Sequence, residues 1–186
     1  LACGYALQDG AEAVSAPAGT TVFALEPGLP ALRSLENVSV GIWPIGRNAP
    51  VDSTGEVLEY DDLAGATSGA PALGVLMMDV DNLGSLFRDG LKAREASLSR
   101  LSSLSWHLTL FFAGRLGRLI EGNDLYRETV QIVYSGGDDV LLVGAADRLP
   151  GLAVEIRNEF RAFAGGNPTL SISAGLASGA SGHPVL

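Results

Sequence analysis

From Ala72 onward, apolar residues follow two rhythms whose order lays out a fold. The run Leu73-Gly74-Val75-Leu76-Met77-Met78 is continuous, as in a strand covered by flanking structure, and it ends in Asp79-Val80-Asp81-Asn82. Asn82 to Leu91 then reads as a short helix with Asp81 at its N-cap. Leu98, Leu101, Leu104, Leu108, Phe111, Phe112, Leu116 and Leu119 recur at three- and four-residue steps, the period of a long amphipathic helix, and Gly122-Asn123 stops it. Two further apolar runs, Val130 to Tyr134 and Val140 to Val143, flank Gly136-Gly137 and predict a hairpin turning on the glycine pair. Asp147 opens another helix with the apolar face Leu149, Leu152, Ala153, Ile156, Phe160 and Phe163, stopped by Gly165-Gly166-Asn167-Pro168. Leu170, Ile172, Ala174 and Leu176 alternate with small residues in a last strand.

Strand, helices, hairpin strands, helix and strand make an α+β domain of the ferredoxin-like βαββαβ type. It is expected over residues 71–186, preceded at 1–70 by an irregular, β-rich linker segment belonging to another domain. That segment holds strand-like pieces at Thr21 to Leu25 and Val38 to Trp43, and loops at Pro44 to Pro50 and Gly65 to Pro71.

This topology gives the acidic residues a meaning. The first strand lies antiparallel to the third, so Asp79 at the end of one and Asp138-Asp139 at the start of the other converge at one edge of the sheet. Adjacent carboxylates repel, and a site that keeps several of them fits a divalent cation between them. An all-oxygen set with no histidine nearby in sequence suits Mg²⁺ or Mn²⁺ rather than zinc. Two such ions about 4 Å apart serve phosphoryl transfer. The amides of Asn82, Leu83 and Gly84 at a helix start can cradle a triphosphate, and Gly136 and Gly137 admit substrate close to the backbone.

Plainer readings stand beside these. The hairpin can be an ordinary turn and Asp79 a strand-end cap; Asp81 either caps the helix or holds metal; Ser135 bonds its own turn or a ligand. His107 and His183 read as structural or surface residues. Arg157 and Arg161 read as a solvated face shared with Glu155 and Glu159.

Composition narrows the partners. A net charge of −9 with a single lysine, Lys92, disfavours the chain's own surface as a main nucleic-acid groove. The lone Cys3 permits neither an internal disulfide nor a cysteine zinc site, and without a basic-then-apolar leader a reducing cytoplasm and no membrane contact are expected. The absence of an initial Met and the stop at Leu186 lead us to expect a fragment, truncated at its C-terminus.

Leu76-Met77-Met78-Asp79-Val80-Asp81-Asn82-Leu83-Gly84, Tyr134-Ser135-Gly136-Gly137-Asp138-Asp139 and Ser171-Ile172-Ser173-Ala174-Gly175 together resemble the second palm domain of the large subunit of type III CRISPR effector complexes. Trp43-Pro44-Ile45-Gly46 and the Gly55 to Ala64 stretch resemble the segment before that palm in the subtype III-A branch. The resemblance, over roughly residues 40 to 183, implies a GGDD nucleotide cyclase/polymerase palm that uses ATP and Mg²⁺ or Mn²⁺ to make cyclic oligoadenylate messengers in antiviral defence. It implies metal at Asp79, Val80, Asp138 and Asp139, with Asp79, Asp138 and Asp139 catalytic. Ser135, Asn82, Leu83, Gly84, Gly136 and Gly137 would lie against nucleotide. Other effector subunits, guide RNA and target RNA are the implied partners, reached through the full-length protein. The related GGDEF diguanylate cyclases, or a catalytically silent scaffold palm, are the alternatives. Against the cyclases, Asp139 is followed by Val140 where they carry Glu-Phe, no Asn lies from Leu83 to Leu91, and Glu128 to Gln131 lacks their Arg-x-x-Asp element. The basic helix that relatives place after the last strand would lie beyond Leu186, so little turnover is expected from this chain alone.

Overall fold

The structure, a computed structural model, describes residues 21–24, 39–42, 46–89 and 97–180. Trp43 to Ile45, the predicted helix tail to Leu91, Cys3, Lys92 and His183 lie outside them. The chain divides into two compact units, Leu1–Ile45 and Gly46–Leu186. In the first, β1 (Thr21–Ala24) and β2 (Ser39–Ile42) pair in parallel.

The second unit begins with α1 (Tyr60–Gly65), where a capping box joins Glu59 and Asp62. The continuous apolar run becomes β3 (Ala72–Val80). It leads through Asn82, in the left-handed region at φ 57°, into α2 (Leu83–Asp89). The long predicted helix is present in three consecutive parts: α3 (Leu98–Leu110), a π-helical turn (Phe111–Arg115) and α4 (Leu116–Glu121). A short helix the periodicity does not reveal, α5 (Asp124–Thr129), follows, its start fixed by Asn123 accepting from the Leu125 amide at 3.0 Å. Next come β4 (Val130–Gly136), β5 (Asp139–Ala145), α6 (Leu149–Phe163) and β6 (Ile172–Ala180).

The four-stranded sheet has the order β4-β5-β3-β6 with every pair antiparallel, the arrangement expected of the ferredoxin-like domain. Alternation along β3 sends Leu76, Met78 and Val80 into the core and leaves Met77 and Asp79 exposed. Phe111, Phe112, Leu116, Ile120, Leu152, Ile156 and Phe160 from the helices meet that core face, joined by Val140 and Leu142 of β5. Each large side chain so buried contributes about 1.5–3 kcal/mol. This fixes β3 and β5 as the two rigid central strands.

Four expectations change. The stripe predicted as core does not begin at Leu98, which is 82% exposed; within α3 only Leu108 is buried. Leu176 is half exposed because β6 is the edge strand, and Ile172 is its only buried residue. Asp147 does not cap α6, whose N-cap is Arg148; its carboxylate accepts instead from the Ser68 amide at 2.9 Å, pinning the preceding loop. The hairpin turns on Gly137-Asp138 rather than on the glycine pair, since Gly136 is still paired with Asp139. Gly137 alone needs the positive φ, +62°.

Candidate functional site

The acids meet at the shared end of the two central strands. Asp79 and Asp139 are direct cross-strand partners, and the next pair carries a ladder bond from the Val80 amide to the Asp138 carbonyl at 3.1 Å. Because bonded and non-bonded pairs alternate in an antiparallel ladder, Asp79 and Asp139 occupy the non-bonded position, where facing side chains come nearest. Both lie on the face away from the core residues Met78, Val80 and Val140. The convergence is at the sheet's end, where the two central strands meet. Partial burial raises the Asp79 pKa first, and the charges of Asp138, Asp139 and Asp81 raise it further.

Asp81 behaves in the opposite way. Its two carboxylate oxygens each accept a hydroxyl proton, one from Ser171 and one from Ser173, both at 2.5 Å. These bonds hold its pKa below the ordinary carboxylate value. The Asp81 amide also donates to the Ser171 carbonyl at 2.9 Å. Asp81 thus fastens β3 to β6 and is the strap of the site; the expected N-cap role is replaced by these cross-strand bonds.

Tyr134 and Ser135 point to opposite sides. A bulge between Ile132 and Tyr134 shifts the β4 register so that Tyr134 faces Leu141 and Ser135 faces the buried Val140. The charge of Asp139 is the main cause raising the Tyr134 pKa, which locates the phenol beside the acids. The Ser135 hydroxyl is instead committed to the helix layer, donating to the Phe112 carbonyl at 2.6 Å. Gly46 closes over this bond: a Cβ there would stand 2.8 Å from both the Phe112 oxygen and Ser135 Oγ. Tyr134 and the two serines of the strap were missed by motif reading as neighbours of the acids. The alternation of β4 and β6 carried the signal, but only once the bulge and register are known.

Asn82, Leu83 and Gly84 lie immediately after the acid-bearing strand, at the start of α2. That helix has seven residues, too few for a strong dipole, so it offers a ligand amide donors more than field. Arg157 and Arg161 are exposed, but the carboxylates first paired with them look elsewhere: Glu155 accepts from the Tyr126 hydroxyl at 2.7 Å, and Glu159 pairs with Arg115 at 2.6 Å. His107 is exposed and its Nδ1 meets the Ser103 carbonyl at 2.6 Å within its own helix, a structural role.

Among the described residues, no three acidic, histidine or cysteine side chains are gathered closely enough to enclose a metal ion by themselves. The donor set nevertheless fits a hard cation. Mg²⁺ is ordinarily held by one or two carboxylates, with substrate phosphates and water completing its shell. A facing pair of mutually repelling carboxylates beside an open face is such a partial set. No helix among the described residues is long and apolar enough to cross a membrane.

The fold has known relatives. The family described as Cas10/Cmr2, second palm domain, matches residues 72–186. The CRISPR system single-strand-specific deoxyribonuclease Cas10/Csm1 (subtype III-A) of Methanocaldococcus jannaschii is 40% identical over 131 residues, covering 64% of this chain and 16% of that relative. A Csm1-Csm4 cassette in complex with one ATP superposes with a TM-score of 0.71 at 30% identity, over 89% of this chain and 24% of that one. The cassette in complex with cA4 gives 0.66 at 31% identity, over 84% and 23%. The chain thus spans about a sixth of the length of the curated relative it matches, 16%.

Proposed function

Because this chain belongs to the Cas10/Cmr2 second-palm family, we propose that it is the nucleotide-polymerising palm of a subtype III-A effector subunit, converting ATP to cyclic oligoadenylate. The observation that carries this reading is Asp79 facing Asp139 across the two central strands, with Asp138 at the adjoining turn. Solved relatives held with ATP and with cA4 support adenine nucleotides as substrate and product.

In this reading Asp79, Asp138 and Asp139 hold Mg²⁺ or Mn²⁺. Val80 has only its backbone carbonyl to offer, since its side chain is 2% exposed in the core. Divalent metal held there would supply activation of the attacking hydroxyl and stabilisation of the leaving pyrophosphate. The chain's residues bring the groups together: the amides of Asn82, Leu83 and Gly84 take the triphosphate, and Gly136 and Gly137 leave room for it against the hairpin. A ribose hydroxyl attacks the α-phosphorus of ATP, the bond from that phosphorus to the bridging oxygen breaks, pyrophosphate leaves, and the hydroxyl proton passes to solvent. Other effector subunits, guide RNA and target RNA act through the rest of the full-length protein, in the cytoplasm.

The test uses the full-length protein in its effector complex with guide RNA, target RNA and Mg²⁺, offered ATP and GTP separately. Cyclic oligoadenylate from ATP is expected, and none from an Asp138→Ala, Asp139→Ala double variant. Product from that variant, or preferential use of GTP, overturns the reading.

A further inference from the structure

The hairpin that carries two of the acids has one free edge. It ends in a two-residue turn, and β4 is an edge strand with a bulge just before Tyr134. On its inner side Asp139 is directly opposed to the like charge of Asp79 on β3, which tends to push the hairpin away from that strand. A bond outside the ladder would add to what the ladder itself holds against that force.

We infer that Ser135 is a positioning residue, whose hydrogen bond to the π-turn carbonyl of Phe112 sets where the hairpin presents Asp138 and Asp139 to Asp79; the functional part of this rests on the reading above. The anchor end is rigid. Phe111 and Phe112 are 1% and 0% exposed. Their rings sit edge to face at 5.1 Å, with Phe160 against Phe111 at the same separation. Ser135 reaches that anchor only because the bulge turns it toward the helices, and its bond spans 23 residues of sequence at 2.6 Å. Gly46 seals the bond from the other side, where any side chain would strike both of its atoms. One residue beyond Ser135, Gly136 pairs with Asp139, so the latch lies one step from the acid it places. The hydroxyl's one proton is thus spent on geometry.

Ser135→Ala and Gly46→Ala, made in the full-length protein within its effector complex, test this. Ser135→Ala is expected to lower kcat for cyclic oligoadenylate about tenfold or more, as misplacement of reacting groups does, while KM for ATP stays within about twofold. Amide hydrogen exchange from Tyr134 to Val140 should accelerate, with β3 unchanged. Gly46→Ala should give the same signature from the other side of the bond, and the double variant should lose no more than the worse single one. A raised KM at unchanged kcat would assign Ser135 to the nucleotide and overturn the inference, as would wild-type exchange in the hairpin of both variants. Exchange is read without turnover, so if the wild-type complex makes no product the polymerase reading fails while the latch is still decided.

Discussion

β3 has two seams, and at the same end of the strand they are built on opposite electrostatic terms. Toward β5, Asp79 meets another carboxylate, and its pKa is raised by burial and by three neighbouring acids. Toward β6, Asp81 meets two serine hydroxyls, and its pKa is lowered. Both acids come from one tetrapeptide, Asp79 inside the strand and Asp81 in the turn just past its end. The second seam stabilises the sheet as it stands, whereas the first costs stability until a positive charge arrives. An unfavourable pair held in place by a favourable strap beside it is an arrangement that suits a cation.

The largest effect that can break this comparison is on turnover. Asp79→Ala or Asp139→Ala should each reduce cyclic oligoadenylate synthesis by the complete complex about a thousandfold, with the double variant no worse, because the two acids act as a unit. Product assays with chromatographic separation read this, and near-normal yield from either variant would make the β5 seam a structural curiosity.

Next comes the strap. Asp81→Ala should destabilise the fold by about 1 kcal/mol, the worth of two charge-assisted bonds discounted for their exposure to solvent. Chemical denaturation of the full-length protein measures it, and Ser171→Ala and Ser173→Ala should each give part of that loss. The folded-state pKa of Asp81 is depressed, so its contribution is present above the unfolded value of 3.8 and is lost as pH falls through the folded value. A stability gap between wild type and Asp81→Ala that persists in strong acid contradicts this.

The smallest effect has the opposite sign. Asp79→Asn, without divalent cation, should stabilise the fold at neutral pH by less than about 1 kcal/mol, because it removes a like-charge contact at a half-open site. The folded pKa of Asp79 is raised, so the penalty of the native acid is absent below the unfolded value of 3.8 and grows as pH rises through the folded value. The advantage of the Asn variant should therefore vanish in acid. Thermal unfolding across pH, with chelator present, reads both the sign and the window.

What the sequence disclosed was the part governed by local rhythm. The apolar run ending at Asp79, the two runs around the hairpin and the helical face Leu149 to Phe163 fix strands, helix and order. Once the order is known, antiparallel pairing of the first and third strands brings Asp79 to Asp139. The glycine pair predicts the turn one residue early because Gly-Gly and Gly-Asp both satisfy a two-residue hairpin, and only the Gly136–Asp139 pair separates them. Asp81 and Asp147 both resembled helix caps, yet their partners lie 90, 92 and 79 residues away, beyond any local rule. The π turn leaves the three- and four-residue spacing of apolar positions intact, so no periodicity marks it. It is the π turn that offers Ser135 its acceptor.

The most direct measurement is a crystal structure of the full-length subunit soaked with Mn²⁺ and a non-hydrolysable ATP analogue, recorded at the manganese absorption edge. The account predicts an anomalous peak between the carboxylates of Asp79 and Asp139, within reach of the analogue's phosphates, and none at Asp81. No peak between Asp79 and Asp139, or a peak at the Asp81–Ser171–Ser173 strap instead, would contradict it.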